Sequence, residues 1–205
     1  MPRAVDAKRS ALLLVDLQND FIHPDGAYAR GGAKSEAIAA LPERLAPLAQ
    51  GFRDLGAYTV ATLFTLVPGP GGEPMIADHL RALRPFLRRG DFLPGSWGQQ
   101  LVDPLRPVDT TVEKVAFSAF YMSRLEYALR RAGVEHLVIG GIVTNGGVAS
   151  TARDAHVRDF SVTVLSDGSA AFSEAIHEAA IRDLGNVVAI ATCAEVAEQV
   201  RKAKS

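Results

Sequence analysis

The sequence predicts an α/β fold: a three-layer α/β/α sandwich around a six-stranded, mainly parallel, doubly wound sheet. Three observations carry that expectation. Six short apolar runs recur along the chain. Each is continuous rather than alternating, as in strands buried on both faces of a parallel sheet. Longer amphipathic stretches with helix start and stop residues separate most of them, giving the strand–helix alternation of a doubly wound sheet.

The elements follow in order. Residues 11–15 (Ala-Leu-Leu-Leu-Val) form the first expected strand, and 35–55 the first helix. Gly56 follows that helix where a left-handed residue is favoured. The second strand spans 57–64. Residues 67–98 are rich in Gly and Pro, loosest at Gly69-Pro70-Gly71-Gly72. They read as a long surface excursion near the active face with a short helix at 76–87, because a linker there would leave an incomplete sheet on either side. The third strand is 110–112. Ser123 with Glu126 three residues on predicts a capping box for a helix over 123–132, stopped by Gly133. The fourth strand, 136–141, runs through a glycine pair into a helix over 147–158. A fifth strand at 161–165 precedes a helix over 173–183, with Ser173 as its cap and Gly185 as its stop. A strand at 187–190 and a helix at 194–202 complete one domain over 1–205, with 67–98 as its irregular insertion.

Composition narrows the function classes. Of 205 residues, 48% are hydrophobic and 22% charged, which suits a globular domain with a sizeable core and excludes a disordered chain. Net charge is -1, from 22 Lys+Arg against 23 Asp+Glu, so no basic field recruits nucleic acid or an anionic membrane. The apolar runs fall short of the ~20 residues of a membrane span, and residues 1–10 lack a signal-peptide core. The expected location is cytoplasmic. The single cysteine, Cys193, excludes an internal disulfide and a cysteine-rich zinc site.

Ligands of open α/β sheets sit at the carboxyl ends of the strands. Three segments fall there. The first strand ends in Asp16-Leu17-Gln18-Asn19-Asp20-Phe21, the third in Lys114, and the fourth in Gly141-Ile142-Val143-Thr144-Asn145-Gly146-Gly147. A carboxylate at the end of an apolar strand is partly desolvated and suits general acid–base work. A lysine at another strand end sets its charge, and amides opening the helix at Gly147 can bind an anion. Singly, each residue has a plainer reading: Asp16 as a turn cap, Lys114 as a solvated charge, the glycines as relief of backbone crowding. Their convergence on one face of one sheet favours a site.

The motif 16–21, Lys114 with Ser118-Ala119-Phe120, and 141–145 followed by Thr151-Ala152-Arg153-Asp154-Ala155 resemble the isochorismatase-like hydrolase superfamily over residues 10–197. The resemblance implies a six-stranded sheet, a homodimer or homotetramer, and hydrolysis of a small molecule. It also implies Asp16 as catalytic acid or base, Lys114 as its partner, and a non-proline cis peptide at Val143–Thr144. Cysteine hydrolases of this superfamily carry their nucleophile where this chain has Gly147. Cys193 lies at the far edge and reads as a structural thiol. The isochorismatases proper also carry glycine there and use the aspartate without a covalent step, protonating a vinyl ether. They usually lack the Asn19-Asp20 pair and often have His in place of Asn145, respects in which this chain resembles the cysteine hydrolases. The zinc-binding histidines of nicotinamidase-like members are missing from 62–67, so neither metal nor cofactor is expected. Gln18, Phe21, Trp97, Phe117, Tyr121, Thr144, Asn145, Gly146 and Gly147 are the expected substrate or oxyanion contacts. Three readings stand: an isochorismatase-type hydrolase acting through Asp16; an amide or other C–N hydrolase with Asp-activated water; and a small-molecule-binding homologue without catalysis.

Overall fold

The computed structural model describes residues 3–204. Six strands, β1 (Ser10–Val15), β2 (Tyr58–Phe64), β3 (Thr110–Lys114), β4 (His136–Ile142), β5 (Ser161–Ala170) and β6 (Ala189–Ala191), form one sheet in the order β3-β2-β1-β4-β5-β6. Every pairing is parallel. The order reverses between β1 and β4, which opens a crevice at their carboxyl ends, the place where such sheets bind ligands.

β1 shows why the sheet is buried on both sides. Leu12 and Leu14 pack with Leu45, Leu48 and Phe52 of α4 (Leu41–Leu55) and Val196 and Val200 of α9 (Cys193–Lys204). Leu13 and Val15 face Leu125 and Leu129 of α6 (Leu125–Arg131), Ala152 and Ala155 of α7 (Ala149–Val157), and Leu184 of α8 (Glu174–Leu184). Burying a leucine side chain contributes about 1.5–3 kcal/mol, so a strand of consecutive leucines is held from both layers. β4 meets β1 closely: Gly141 has φ of 128°, and a β-carbon there would lie 2.2 Å from the Val15 carbonyl oxygen. Only glycine fits.

Several elements depart from the expectation. The helix over 35–55 divides at Ala40 into α3 (Glu36–Ala39) and α4, where Pro42 sits in the first turn with no N–H to donate. Two short helices, α1 (Asn19–Ile22) and α2 (Ala27–Arg30), fill the connection after β1. The helix of the excursion, α5, covers only Asp78–Leu83. The capping box at Ser123 does not form. The Ser123 hydroxyl donates to the Ala119 carbonyl and accepts from the Leu125 amide, so α6 begins later, and Glu126 turns to Arg158. β5 continues past 165 to Ala170, regaining its register with β4 at Ser169 opposite Gly141 after an irregularity. Gly56 and Gly133 adopt left-handed φ values of 73° and 74°, whereas Gly185 stays right-handed. Among the described residues, no helix is long and apolar enough to cross a membrane.

At the opposite end of the sheet, His136 is buried between the Ser10 and Thr163 hydroxyls. Burial, with a smaller contribution from Arg3, pushes its pKa down to about 4 from 6.5. A depressed folded value gives stability that is present above pH 6.5 and lost as pH falls toward 4, amounting to about 3 kcal/mol. Burial raises the Asp16 and Asp20 carboxyls, which act with the opposite sign. The His136 share is therefore read as a difference. Denaturant unfolding between pH 7.5 and 4.5 is expected to show a smaller loss of stability in His136→Gln than in wild type, and parallel pH curves would rule out the histidine.

Candidate active site

Asp16 directly follows β1 with φ of 58°, a left-handed conformation that aspartate tolerates better than most residues. Its amide donates to Thr62 Oγ1 (3.2 Å), and the Thr62 hydroxyl donates back to Asp16 Oδ1 at 2.7 Å. Asp16 Oδ2 accepts from Lys114 Nζ at 2.6 Å. Lys114 comes from β3, beyond the intervening β2, and its ammonium crosses the end of that strand. Nζ also donates to the Ala116 carbonyl (2.8 Å) and stands 5.6 Å from the Phe64 ring centroid. The pair is almost wholly buried, at 4% and 2% exposure. Burial raises the Asp16 carboxyl above the ordinary carboxylate range, while Lys114 and Thr62 pull it down without cancelling the rise.

The third segment leaves β4 through a cis peptide at Ile142–Val143, one residue before the Val143–Thr144 bond expected from the resemblance. A π turn, Thr144–Val148, then leads into α7. Such turns admit an extra residue and recur at functional sites. A β-carbon on Gly147 would lie 3.3 Å from Asp16 Oδ2 and 2.7 Å from the Ile142 carbonyl oxygen, so the glycine lets the carboxylate and the turn approach each other. Gly146 is covered by Phe117, whose ring lies 3.3 Å from the position of a β-carbon there. Asp16, Lys114, Gly146, Gly147 and Phe117 are thus brought together.

The other expected contacts divide. Gln18 is fully buried, its Oε1 accepts the Phe64 amide, and its Nε2 donates to the Phe64 and Gln99 carbonyls. With its amide engaged in this way, it clamps the end of β2 to residues 99 onward. Asn19 donates to the Trp97 carbonyl, and Asp20 accepts from the Ala27 and Phe92 amides. This tripeptide staples residues 92–99 to the end of β1, with Gly98 so close to Asp20 that a β-carbon would overlap its carboxylate at 2.1 Å. Phe21 is half-buried in an aromatic cluster, 4.6 Å from Tyr28 and 4.5 Å from Phe92 between centroids. Trp97 stands exposed against the His23 ring, and Tyr121 and Asn145 are exposed as well. Thr144 is buried and turned toward α8, where its hydroxyl meets His177 Nδ1 at 2.7 Å. Sequence reasoning missed Thr62, the Ala116 carbonyl and His177. Thr62 alone left a signal, as a polar residue inside an apolar strand.

Cys193 is buried at the start of α9, and burial together with Asp167 pushes its thiol up to about 12. Native protein at pH 7.5 is expected to resist iodoacetamide and to label fully after denaturation; rapid native labelling in intact-mass spectra would contradict the burial. Among the described residues, no group of three His, Cys, Asp or Glu side chains is set to hold a metal.

A buried carboxylate–ammonium pair thus faces a glycine-rich turn at the switch point of a doubly wound sheet. The sequence model of the Isochorismatase domain matches residues 10–196, and the chain belongs to that hydrolase family. It is similar to ureidoacrylate amidohydrolase RutB of Caulobacter vibrioides, 30% identical over 180 residues, covering 82% of this chain and 80% of that one. RutB of Methylorubrum extorquens strain AM1 is 31% identical over 195 residues, covering 89% and 79%. Among solved structures, a cysteine hydrolase from Pseudomonas syringae pv. phaseolicola superposes with a TM-score of 0.85 at 24% identity, covering 98% of this chain and 96% of that one. A pyrazinamidase/nicotinamidase from Streptococcus mutans gives 0.72 at 24% identity, covering 89% and 99%. These structures share the fold.

Proposed function

We propose that the protein hydrolyses a small carboxylated substrate by proton transfer at Asp16, with no covalent enzyme intermediate. The observation that carries this reading is Gly147. The position that faces Asp16 from the turn offers no side chain to attack a substrate, and the Ile142 carbonyl oxygen, Val15 and the Asp16 carboxylate stand 2.7, 3.2 and 3.3 Å from where a β-carbon would lie. In the first reading the bond cleaved is that of a vinyl ether of the isochorismate type. Neutral Asp16 gives its proton to the terminal alkene carbon, and the ether carbon becomes an oxocarbenium ion. Water adds to that carbon and returns a proton to the carboxylate. The resulting hemiketal then separates into an alcohol and pyruvate. Burial favours the neutral acid this chemistry starts from, and Lys114 stabilises the carboxylate it leaves. Phe117, Trp97 and Tyr121 would line the substrate, with the Gly146 and Gly147 amides toward its anionic group.

A second reading is supported by the curated relatives, which are amidohydrolases: ionised Asp16 takes a proton from water, whose oxygen adds to the carbonyl carbon of an amide or ureido group, and the tetrahedral intermediate then breaks its C–N bond as Asp16 gives that proton to the departing nitrogen. The two readings differ in product and in pH dependence. The first releases pyruvate and loses rate as pH rises through the Asp16 value, because the acid form is spent. The second releases ammonia or an amine and loses rate as pH falls through it. Product assays on purified protein with vinyl ethers and with ureido and amide substrates, followed by a pH–rate profile on the active class, decide between them. A covalent adduct trapped during turnover by mass spectrometry would remove both.

A further inference from the structure

Lys114 is the last residue of β3, and β3 is an edge strand. The chain that follows therefore governs where the ammonium points. Residues 115–124 leave the edge and cross to α7, the helix that follows β4. Two bonds moor this strap. Thr151 Oγ1 accepts the Ala119 amide at 3.0 Å, and the Asp154 carboxylate accepts the Ser118 hydroxyl. The second Asp154 oxygen takes Arg158 Nη1 at 2.9 Å. Arg158 is itself fixed by Glu126 (3.0 Å) and lies 5.1 Å from the centroid of Phe120. The strap brings two groups to the site: the Ala116 carbonyl, which holds Lys114 Nζ, and the Phe117 ring, which covers Gly146.

We infer that Asp154 is a positioning residue, which through Ser118 holds the 115–124 strap so that Lys114 and Phe117 keep their places around Asp16. The inference rests on the proposed role of the Asp16–Lys114 pair; Asp154 itself bonds to neither member. An acceptor that is charged and paired to arginine holds a hydroxyl more firmly than a neutral one. Displacements of about 1 Å at a reacting pair cost up to about a hundredfold in rate.

The test compares Ser118→Ala, Asp154→Ala, their double variant and Asp154→Asn in the full chain, reading kcat, KM and the midpoint of the pH–rate profile. Each alanine variant is expected to lower kcat/KM by about ten- to a hundredfold and to move the midpoint upward, as Asp16 loses the close approach of Lys114. The double variant should be no worse than Asp154→Ala, because the bond that Ser118→Ala removes is already absent there. Asp154→Asn, whose carbonyl still accepts the Ser118 hydroxyl, should recover most of the activity. Rates within about twofold of wild type, an unmoved midpoint, or additive losses would each overturn the inference. If Asp154→Ala fails to fold, Ser118→Ala, which deletes one partly exposed hydroxyl, carries the test alone. Asp16→Asn is measured alongside. Full activity in that variant removes the proposed function, whereas silence confined to the Ser118 and Asp154 series removes only the positioning role.

Discussion

Asp16→Asn is expected to lower kcat/KM by about 10²–10⁴-fold, the usual contribution of a positioned acid or base. Asparagine is close to isosteric and tolerates the left-handed backbone at φ 58° about as well as aspartate. It can still accept the Thr62 hydroxyl. What it lacks is acid–base function, since a carboxamide neither yields nor takes up a proton near neutral pH. The fold should remain, with cooperative melting near that of wild type. Activity within a few-fold of wild type in a well-folded variant would exclude Asp16 from the chemistry under either reading of the reaction.

Lys114→Met is expected to cost about 10²–10³-fold, comparable with removing one preorganised donor from a developing charge. Methionine retains much of the lysine stem's volume and removes the ammonium. An opposite charge at contact distance favours the ionised carboxyl, so its loss should move the midpoint of the pH–rate profile upward. Breaking a buried ion pair ordinarily destabilises by about 3–5 kcal/mol, because one charge is left without compensation. Here the cost should be smaller near neutral pH, since the Asp16 carboxyl is already raised by burial and can take a proton instead. An acid whose folded value is raised gives stability that is present at low pH and lost as pH rises through that value. The gap in melting temperature between wild type and variant should therefore widen with pH. A pH–rate midpoint that stays in place would refute the coupling of the pair.

Much of this architecture is legible in the sequence because it is written in local patterns. The continuous apolar runs give the strands, and the strand ends give Asp16, Lys114 and Gly147. What was not legible depends on partners distant in the chain. Gln18, Asn19 and Asp20 are recognisable as a motif, but their work is to hold a segment 72 to 81 residues further on, and no periodicity reports that. The apolar run of the fifth strand stops at Leu165, and β5 reaches Ala170 because Ser169 and Ala170 rejoin β4 opposite Gly141 and Ile142 after an irregularity. Ser123 and Glu126 have the spacing of a capping box, yet each finds a better partner, in the Ala119 carbonyl and in Arg158. The Thr144–His177 pair joins two elements that only the folded sheet brings together.

The staple formed by Gln18, Asn19 and Asp20 separates the long excursion into an inner part that is moored and an outer part that is not. Residues 92–99 are tied to the end of the first strand through the carbonyls of Trp97 and Gln99 and the amide of Phe92. Further out, Met75 and Leu83 stand in solvent and α5 buries none of its residues. Insertions, deletions and charge changes at 70–83 can therefore accumulate without moving Asp16 or Lys114. Sequence change is in this way free to collect on a tether that tolerates it, apart from the rigid strand ends that hold the buried pair.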